Sequence, residues 1–307
     1  MAYVENPGNP LVARLEGVHL FHFDGAPCAQ RVRFALHEKG LMRGREERFD
    51  ADEAASCQAQ PGHWVSRQVS LVRKQHMTPF YAGIQPNLVV PALVHDGRLY
   101  IESMEIIEYL DEAFGGAPLV PRQDPVAMAE AEQLTKLGEE LHRSIRFVTF
   151  RWGLRGLARL SDKEEANLRL LLDGAADAEQ LVSFYDGYDH QTIPDSVYHD
   201  HLAKRNQAFA AHEQQLQDGR QFLTGDAITM ADIIWAMKTL RLLECDYPFD
   251  DCFPACAAWF RRVSERPAFV EGVMGKHRMM NRAFKIKARL EGLLGIGLKK
   301  EVLKQVA

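Results

Sequence analysis

Strand-forming sequence is confined to the first third of this chain. Short apolar runs bounded by turn residues recur up to Ile101, and after Pro118 only helix-period patterns remain. A chain divided in this way folds as an α/β N-terminal domain followed by an all-α C-terminal domain. The expected boundaries are 18–117 and 124–307, with Pro118, Pro121 and Pro125 marking the join.

Within the first domain, residues 19–23 (HLFHF) read as a buried strand that ends at Asp24-Gly25. A helix follows from Pro27 to about Lys39. Pro27 suits its first turn, Gly40 stops it, and Val32, Ala35 and Leu36 form its buried stripe. Residues 45–49 form a weaker edge strand, and residues 1–17 a loose lead-in. The stretch 51–84 has no clear period, although 64–74 looks helical. Residues 89–94 (VVPALV) form a strand interrupted by Pro91, and Asp96-Gly97 turns the chain into its hairpin partner, 98–101. Ser103 then caps a helix reaching about Phe114, with Ile106, Ile107 and Leu110 on one face.

In the second domain, Leu134, Leu137, Leu141, Ile145 and Val148 recur at helical spacing. Further helices are expected over about 162–183, 196–218, 229–244, 254–265 and 278–304. Thr229 and Asp232 form a capping-box variant at the start of the third of these.

The chain has 307 residues, of which 46% are hydrophobic and 26% charged, with a net charge of −5. That balance argues against general nucleic-acid binding. The charge is uneven: from Lys276 onward nine Lys/Arg face two Glu, so the remainder carries about −12. The basic tail, with Leu290, Leu293, Leu294, Ile296 and Leu298 between its cations, has the composition of a segment that contacts an anionic membrane. Gly292, Gly295 and Gly297 make it a poor helix, and docking over the second domain is the plainer expectation. The five scattered cysteines, the lack of a secretion signal and the lack of a membrane-length apolar run point to a cytoplasmic, reducing setting.

Three features carry chemistry. Cys28 falls in the first turn of a helix after a buried strand, where free amides and the helix dipole favour a thiolate. The Val90-Pro91 bond, just ahead of a hairpin, is of the kind often found cis. In that form it turns the Val90 backbone toward an extended peptide. Glu102 and Ser103, at a helix start, offer a carboxylate, a hydroxyl and free amides to an amino-acid head group. His142, Arg146 and Thr149 share one polar helix face and could line a pocket, with Arg151 and Trp152 following; Tyr185 and Tyr188 have no positional argument. No metal is expected. Cys245, Cys252 and Cys256 fit no zinc spacing, and His190, His199 and His201 lie in a polar loop with Asp189, Asp195 and Asp200.

These features sit in stretches that resemble the cytosolic glutathione transferase superfamily: residues 20–41 (LFHFDGAPCAQRVRFALHEKGL), 85–121 (QPNLVVPALVHDGRLYIESMEIIEYLDEAFGGAPLVP), 222–232 (FLTGDAITMAD) and 259–267 (WFRRVSERP). The resemblance implies a thioredoxin-like first domain that binds glutathione and a helical second domain that binds substrate. In that fold Val90, beside Pro91, pairs with the cysteinyl backbone of glutathione, and Glu102 and Ser103 hold its γ-glutamyl group. Ala26 stands where zeta enzymes carry a serine and omega enzymes a cysteine, so neither of those mechanisms transfers. Cys28, two residues on, matches the reactive cysteine of the tetrachlorohydroquinone dehalogenase group, and 232–243 also looks like that group. Bacterial beta-etherases share the layout. The resemblance thus implies a homodimeric, glutathione-dependent transferase that acts on an electrophilic, aromatic or apolar small molecule by conjugation, ether cleavage or reductive dehalogenation, in a role such as detoxification. A catalytically weak binding protein of the same fold is the alternative.

Overall fold

The computed structural model describes residues 3–154, 160–171 and 178–306, which pack as two units. The first comprises 1–117 and 159–191, and the second 118–158 and 192–307.

The first unit is built on a six-stranded mixed sheet in the order β1-β6-β5-β2-β4-β3. Its strands are β1 (Tyr3–Val4), β2 (Val18–His22), β3 (Met42–Arg48), β4 (His63–Gln68), β5 (Ala92–His95) and β6 (Arg98–Tyr100). Every residue of β2 is buried, as a central strand requires. It runs parallel to β4, with Leu20 opposite Ser66, and antiparallel to β5, with Phe21 opposite Ala92. The β5–β6 hairpin turns on Asp96 and Gly97, at φ 48° and 75°. Two successive positive φ angles suit the right-handed twist of the strands, and Asp-Gly is the pair that adopts them most readily. Helix α1 (Pro27–Glu38) follows β2 and buries Val32, Ala35 and Leu36; the short α2 (Pro79–Ala82) precedes β5; α3 (Ser103–Ala113) follows β6. The side chains of Lys39 and Asp111, almost wholly buried, join the end of α1 to α3 at 3.0 Å.

The structure corrects three sequence expectations here. Residues 1–17 are no loose lead-in: β1 extends the sheet beside β6, and Leu11, Val12 and Leu15 are core residues. Residues 64–74 do not form a helix, because 64–68 belong to β4, in the interior of the sheet. Trp64, Val65, Ser66 and Arg67 are all buried, so both faces of the strand are covered, and its polar residues hid the pattern. The strand expected over 89–94 begins only at Ala92, after the proline, which lacks an N–H for the ladder.

Two further helices, α6 (Asp162–Leu171) and α7 (Ala178–Asp189), also pack in this unit, and 172–177 of the helix expected over 162–183 lie outside the described residues. Leu168 and Val182 meet Met77 and Leu88, and Asn167 Nδ2 donates to the Met77 carbonyl at 3.2 Å.

The second unit is helical. It contains α4 (Pro125–Glu140), α5 (His142–Val148), a π-helical turn (Thr149–Leu154), α8 (Asp195–Leu216), α9 (Met230–Leu243), α10 (Phe249–Cys252), α11 (Pro254–Ser264), α12 (Pro267–Phe269), α13 (Arg278–Leu293) and α14 (Leu298–Val306). The helix expected over 278–304 is thus broken around Gly295, which takes φ 73°. Helix α9 is buried along nearly its whole length, and Trp235 on it donates Nε1–H to the Leu134 carbonyl of α4 at 2.9 Å. The capping box forms as expected: Asp232 accepts from the Thr229 amide (2.9 Å) and also from the Leu223 amide (2.9 Å) and Trp259 Nε1 (2.8 Å).

Two stability predictions follow from these buried polar groups. Asp232→Ala strands three buried N–H donors and should lower unfolding stability by roughly 3 kcal/mol or more. Denaturant midpoints at unchanged m-value will show it. His19 is wholly buried, with Nε2 facing the carbonyls of Glu16 and Cys57 and Nδ1 accepting from Arg67 Nε, all at 3.1 Å. A second proton would set donor against donor. Burial, then the Arg67 charge, lowers its pKa from 6.5 to about 4. Between these values the unfolded chain holds the extra proton. Stability present above pH 6.5 is therefore lost as pH falls toward 4, by up to about 3 kcal/mol. Urea unfolding across that range should show the decline, and His19→Gln should remove its share, leaving the part carried by His76 and His212, which burial lowers likewise to about 4.

Candidate active site

The residues singled out for glutathione meet at one end of the sheet. The β5–β6 ladder ends where Leu93 faces Tyr100, so the segment through Pro91 and the one leading to Glu102 leave the sheet at the same end. On the other side Phe21 faces Ala92, which brings Phe23 and the turn into α1 to the same end. The Val90-Pro91 peptide is cis, as expected. The Val90 side chain packs in one core cluster with Ala26, Ala29 and Tyr81. Its backbone N–H and C=O take part in no hydrogen bond among the described residues, whereas the flanking carbonyls are engaged: Val89 accepts from Tyr81 Oη (2.8 Å) and Pro91 from Gln85 Nε2 (3.3 Å). This unpaired peptide edge is thus held from both sides, a geometry that suits strand-like pairing with a short peptide.

Glu102 occupies the cap position of α3 with φ 63° and ψ 109°, and Ser103 is the first helical residue rather than the cap. A non-glycine residue in that region costs on the order of 1–3 kcal/mol and persists only where its surroundings enforce it. Here Asn87 Nδ2 donates to Glu102 Oε1 at 3.3 Å, tying the helix start to the segment before Pro91. Ser103 is nearly buried and adds a hydroxyl to the amides that open α3. A carboxylate is favoured there by the helix dipole, and Glu102 lies alongside for an ammonium. These groups fit the γ-glutamyl end of glutathione.

Cys28 is the second residue of α1, half-buried, and Arg31 Nη2 donates to its Sγ at 3.4 Å. The guanidinium one turn on thus adds a cation beside a sulfur that lies in the first turn of the helix. Ala26 is the N-cap and contributes no side-chain oxygen. Of the remaining thiols, Cys57, Cys245 and Cys256 are buried, and burial pushes Cys245 up to about 12. Cys252 is partly exposed, and desolvation raises it.

The sequence reading missed the clamp behind this turn. Asp24 receives Arg43 Nη1 at Oδ1 (3.1 Å) and Gln68 Nε2 at Oδ2 (2.8 Å), while Arg33 Nη2 donates to its carbonyl (3.0 Å). Strands β3 and β4 and helix α1 therefore all grip the residue four before Cys28. Arg33 lies inside the stretch that carries the resemblance; Arg43 falls just before the edge strand expected over 45–49, and Gln68 on β4, where a helix is expected, so neither carries a local signal.

His142, Arg146 and Thr149 lie in the second unit, half-buried on α5 and at the start of the π-helical turn. Thr149 Oγ1 donates back to the Ile145 carbonyl at 2.7 Å. Arg151 pairs with Asp195 at 2.7 Å, and Trp152 is buried. In the first unit Tyr188 stacks on Phe184 and Tyr185 packs against the Met77–Leu168 cluster. His190 shares a small exposed cluster with Glu165 and Asp186, which Arg169 contacts at 2.6 and 3.9 Å.

A thioredoxin-like unit with an unpaired peptide edge beside a cis-proline, followed by a helical unit, defines the glutathione transferase class. Comparison with known proteins agrees. Residues 20–118 match the model of the glutathione S-transferase N-terminal domain, and residues 179–267 that of the glutathione S-transferase C-terminal domain. Glutathione transferase GST 23 of Zea mays is 31% identical over 91% of this chain and 98% of its own. The 2,5-dichlorohydroquinone reductive dechlorinase of Sphingobium indicum is 26% identical over 83% of this chain and 82% of its own. LigF of Sphingobium is 26% identical over 64% of this chain and 78% of its own. The crystal structure of this beta-etherase superposes with a TM-score of 0.67, at 23% identity over 83% of this chain and 98% of the other. The chain belongs to the glutathione transferase family, and its chemistry is glutathione-dependent transfer.

Removing the Ser103 hydroxyl should weaken glutathione binding about tenfold, the value of one good hydrogen bond. Calorimetry on Ser103→Ala and the parent chain measures this, with unchanged thermal unfolding as the control.

Proposed function

We propose that this enzyme binds glutathione along Val90, Pro91, Glu102 and Ser103 and uses Cys28 as a second thiol in the reductive removal of a substituent from an aromatic small molecule. The observation that carries this reading is the placement of Cys28. It is half-exposed in the first turn of α1, paired with Arg31, two residues beyond an alanine that cannot activate anything. The likeness to a reductive dechlorinase, over 83% of this chain and 82% of the other, supports it.

The chemistry balances with two equivalents of glutathione. The first thiolate displaces the leaving group and forms a carbon–sulfur bond. The Cys28 thiolate then attacks that sulfur, forming a disulfide. The carbon–sulfur bond breaks, its electron pair stays on carbon, and carbon takes a proton. A second glutathione frees Cys28 and leaves as glutathione disulfide. Substrate gains a hydrogen and two electrons, and two thiols are oxidised.

A second reading keeps the sulfur on the product, as in conjugation or aryl-ether cleavage, and the likeness to LigF favours it. On either reading we assign His142, Arg146 and Thr149 to the substrate pocket and divide the chain into a glutathione-binding domain, 18–117, and a substrate-binding domain, 124–307. We further propose a cytoplasmic homodimer with a detoxification role, in keeping with five free thiols.

The deciding experiment is turnover of Cys28→Ser on chlorinated hydroquinones and on β-aryl ethers, with products separated by mass. The reductive reaction should fall to background while the glutathionyl adduct accumulates, and adduct formation itself should persist. Reductive turnover at the parent rate would reduce Cys28 to a packing residue and leave the conjugating reading.

A further inference from the structure

Helix α13 presents two rows to solvent. Met279, Ile286, Leu290 and Leu293 stand at i, i+7, i+11 and i+14, with relative exposures of 82, 61, 57 and 85%. Just past the helix, Leu294 and Ile296 are also exposed, at 75 and 49%. Beside it Arg278, Arg282, Lys285 and Arg289 stand at i, i+4, i+7 and i+11, all exposed, and none forms an ion pair within the described residues. The opposite face seats the helix on the second unit. Asn281 Nδ2 donates to Glu244 Oε1 at 2.9 Å, Ala288 is buried, and Lys287 Nζ donates to the Gly153 carbonyl at 2.9 Å. The only acid of the helix, Glu291, is neutralised by Lys287 at 2.8 Å.

A helix needs one apolar stripe to dock on its own protein. This one keeps a second, and a row of cations from Arg278 to Arg289 runs along its edge for about 17 Å. We propose that this face docks α13 in the plane of an anionic lipid bilayer, the apolar row entering the acyl boundary and the cations meeting phosphate headgroups. Charge complementarity selects that occupant. A second copy of the same face brings the same basic row, and like charges oppose its approach. The face is also a convex ridge rather than a groove, which suits a fluid surface that can close around it. The glycines that make the tail a poor helix lie at or beyond the end of α13, so they do not interrupt the two rows.

The test is flotation of the full chain with vesicles of phosphatidylcholine alone and of phosphatidylcholine mixed with phosphatidylserine. Binding is expected only to the mixed vesicles and should fade as salt is raised. Arg282→Gln with Arg289→Gln should weaken it roughly thirtyfold. Ile286→Glu with Leu290→Glu should abolish it. All four side chains are exposed, so glutathione affinity should be unchanged in both variants, which separates this outcome from failure of the transferase site. Equal recovery with both vesicles, or mixed-vesicle binding that survives both double variants, overturns the proposal. So does absence of vesicle binding with an oligomer that the Ile286/Leu290 variant dissociates, which would assign the face to a second copy.

Discussion

One buried cation organises the first unit. Arg67 sits near the end of β4 with no exposed surface, and its donors reach three separate segments. Nε donates to His19 on β2 (3.1 Å), Nη1 to the Ala51 carbonyl (2.7 Å) and Nη2 to the Ser56 carbonyl (2.7 Å), while the guanidinium lies over the Phe21 ring. A buried guanidinium left unsatisfied would cost several kcal/mol, so this position is specified rather than merely tolerated. The consequence is topological. It fixes β4 beside β2 and draws the 49–57 loop onto both. Strand β3, although it follows α1 directly in the chain, is thereby left at the edge of the sheet.

That arrangement sets up the chemistry four residues before Cys28. With β4 inside and β3 outside, Gln68 and Arg43 both reach Asp24, and Arg33 holds the same residue from the helix side. Arg33 Nη1 also donates to His22 Nδ1, and His22 Nε2 meets Ser66 Oγ, so the last residue of β2 is locked by the same group that clamps the turn. A half-buried thiol is useful only if its backbone does not drift. Here the rigidity comes from polar contacts made by strands beneath the turn, which leaves the turn itself free of bulky groups. Ala26 and Gly25 fit that economy of side chains.

Much of this was legible in the sequence, and the part that was not has a physical cause. Residues whose role is set by local backbone demands were readable: Pro27 opening α1, Asp96-Gly97 in the hairpin, Thr229 and Asp232 closing a capping box, and Val90-Pro91 ahead of a strand. Their signals reside in neighbouring residues. Strand β4 was not readable, because Ser66, Arg67 and Gln68 break the apolar pattern that marks a central strand, and their partners lie on β2, on β3 and in the 49–57 loop. Ser103 was placed one position early for a similar reason. The cap belongs to Glu102, whose positive φ is enforced by contacts from the segment before Pro91 and is disfavoured by its own side chain. Polar residues that satisfy one another across the fold look, in one dimension, like solvated loop.

The tail illustrates the converse error. Read as one helix over 278–304, it contains three glycines and seems weak. Divided as the chain divides it, 278–293 carries a single glycine near its end, and the φ 73° of Gly295 supplies the break that ends α13 and lets α14 begin. Glycine at a helix C-terminus is a stop signal with little penalty, whereas in the interior it costs about 1 kcal/mol. The same residues therefore count against one long helix and in favour of two short ones. Once α13 is taken by itself, its cations and leucines are no longer a mixed polar tail. They sort onto separate rows of a helix whose third side is already committed to Glu244, Gly153 and the core.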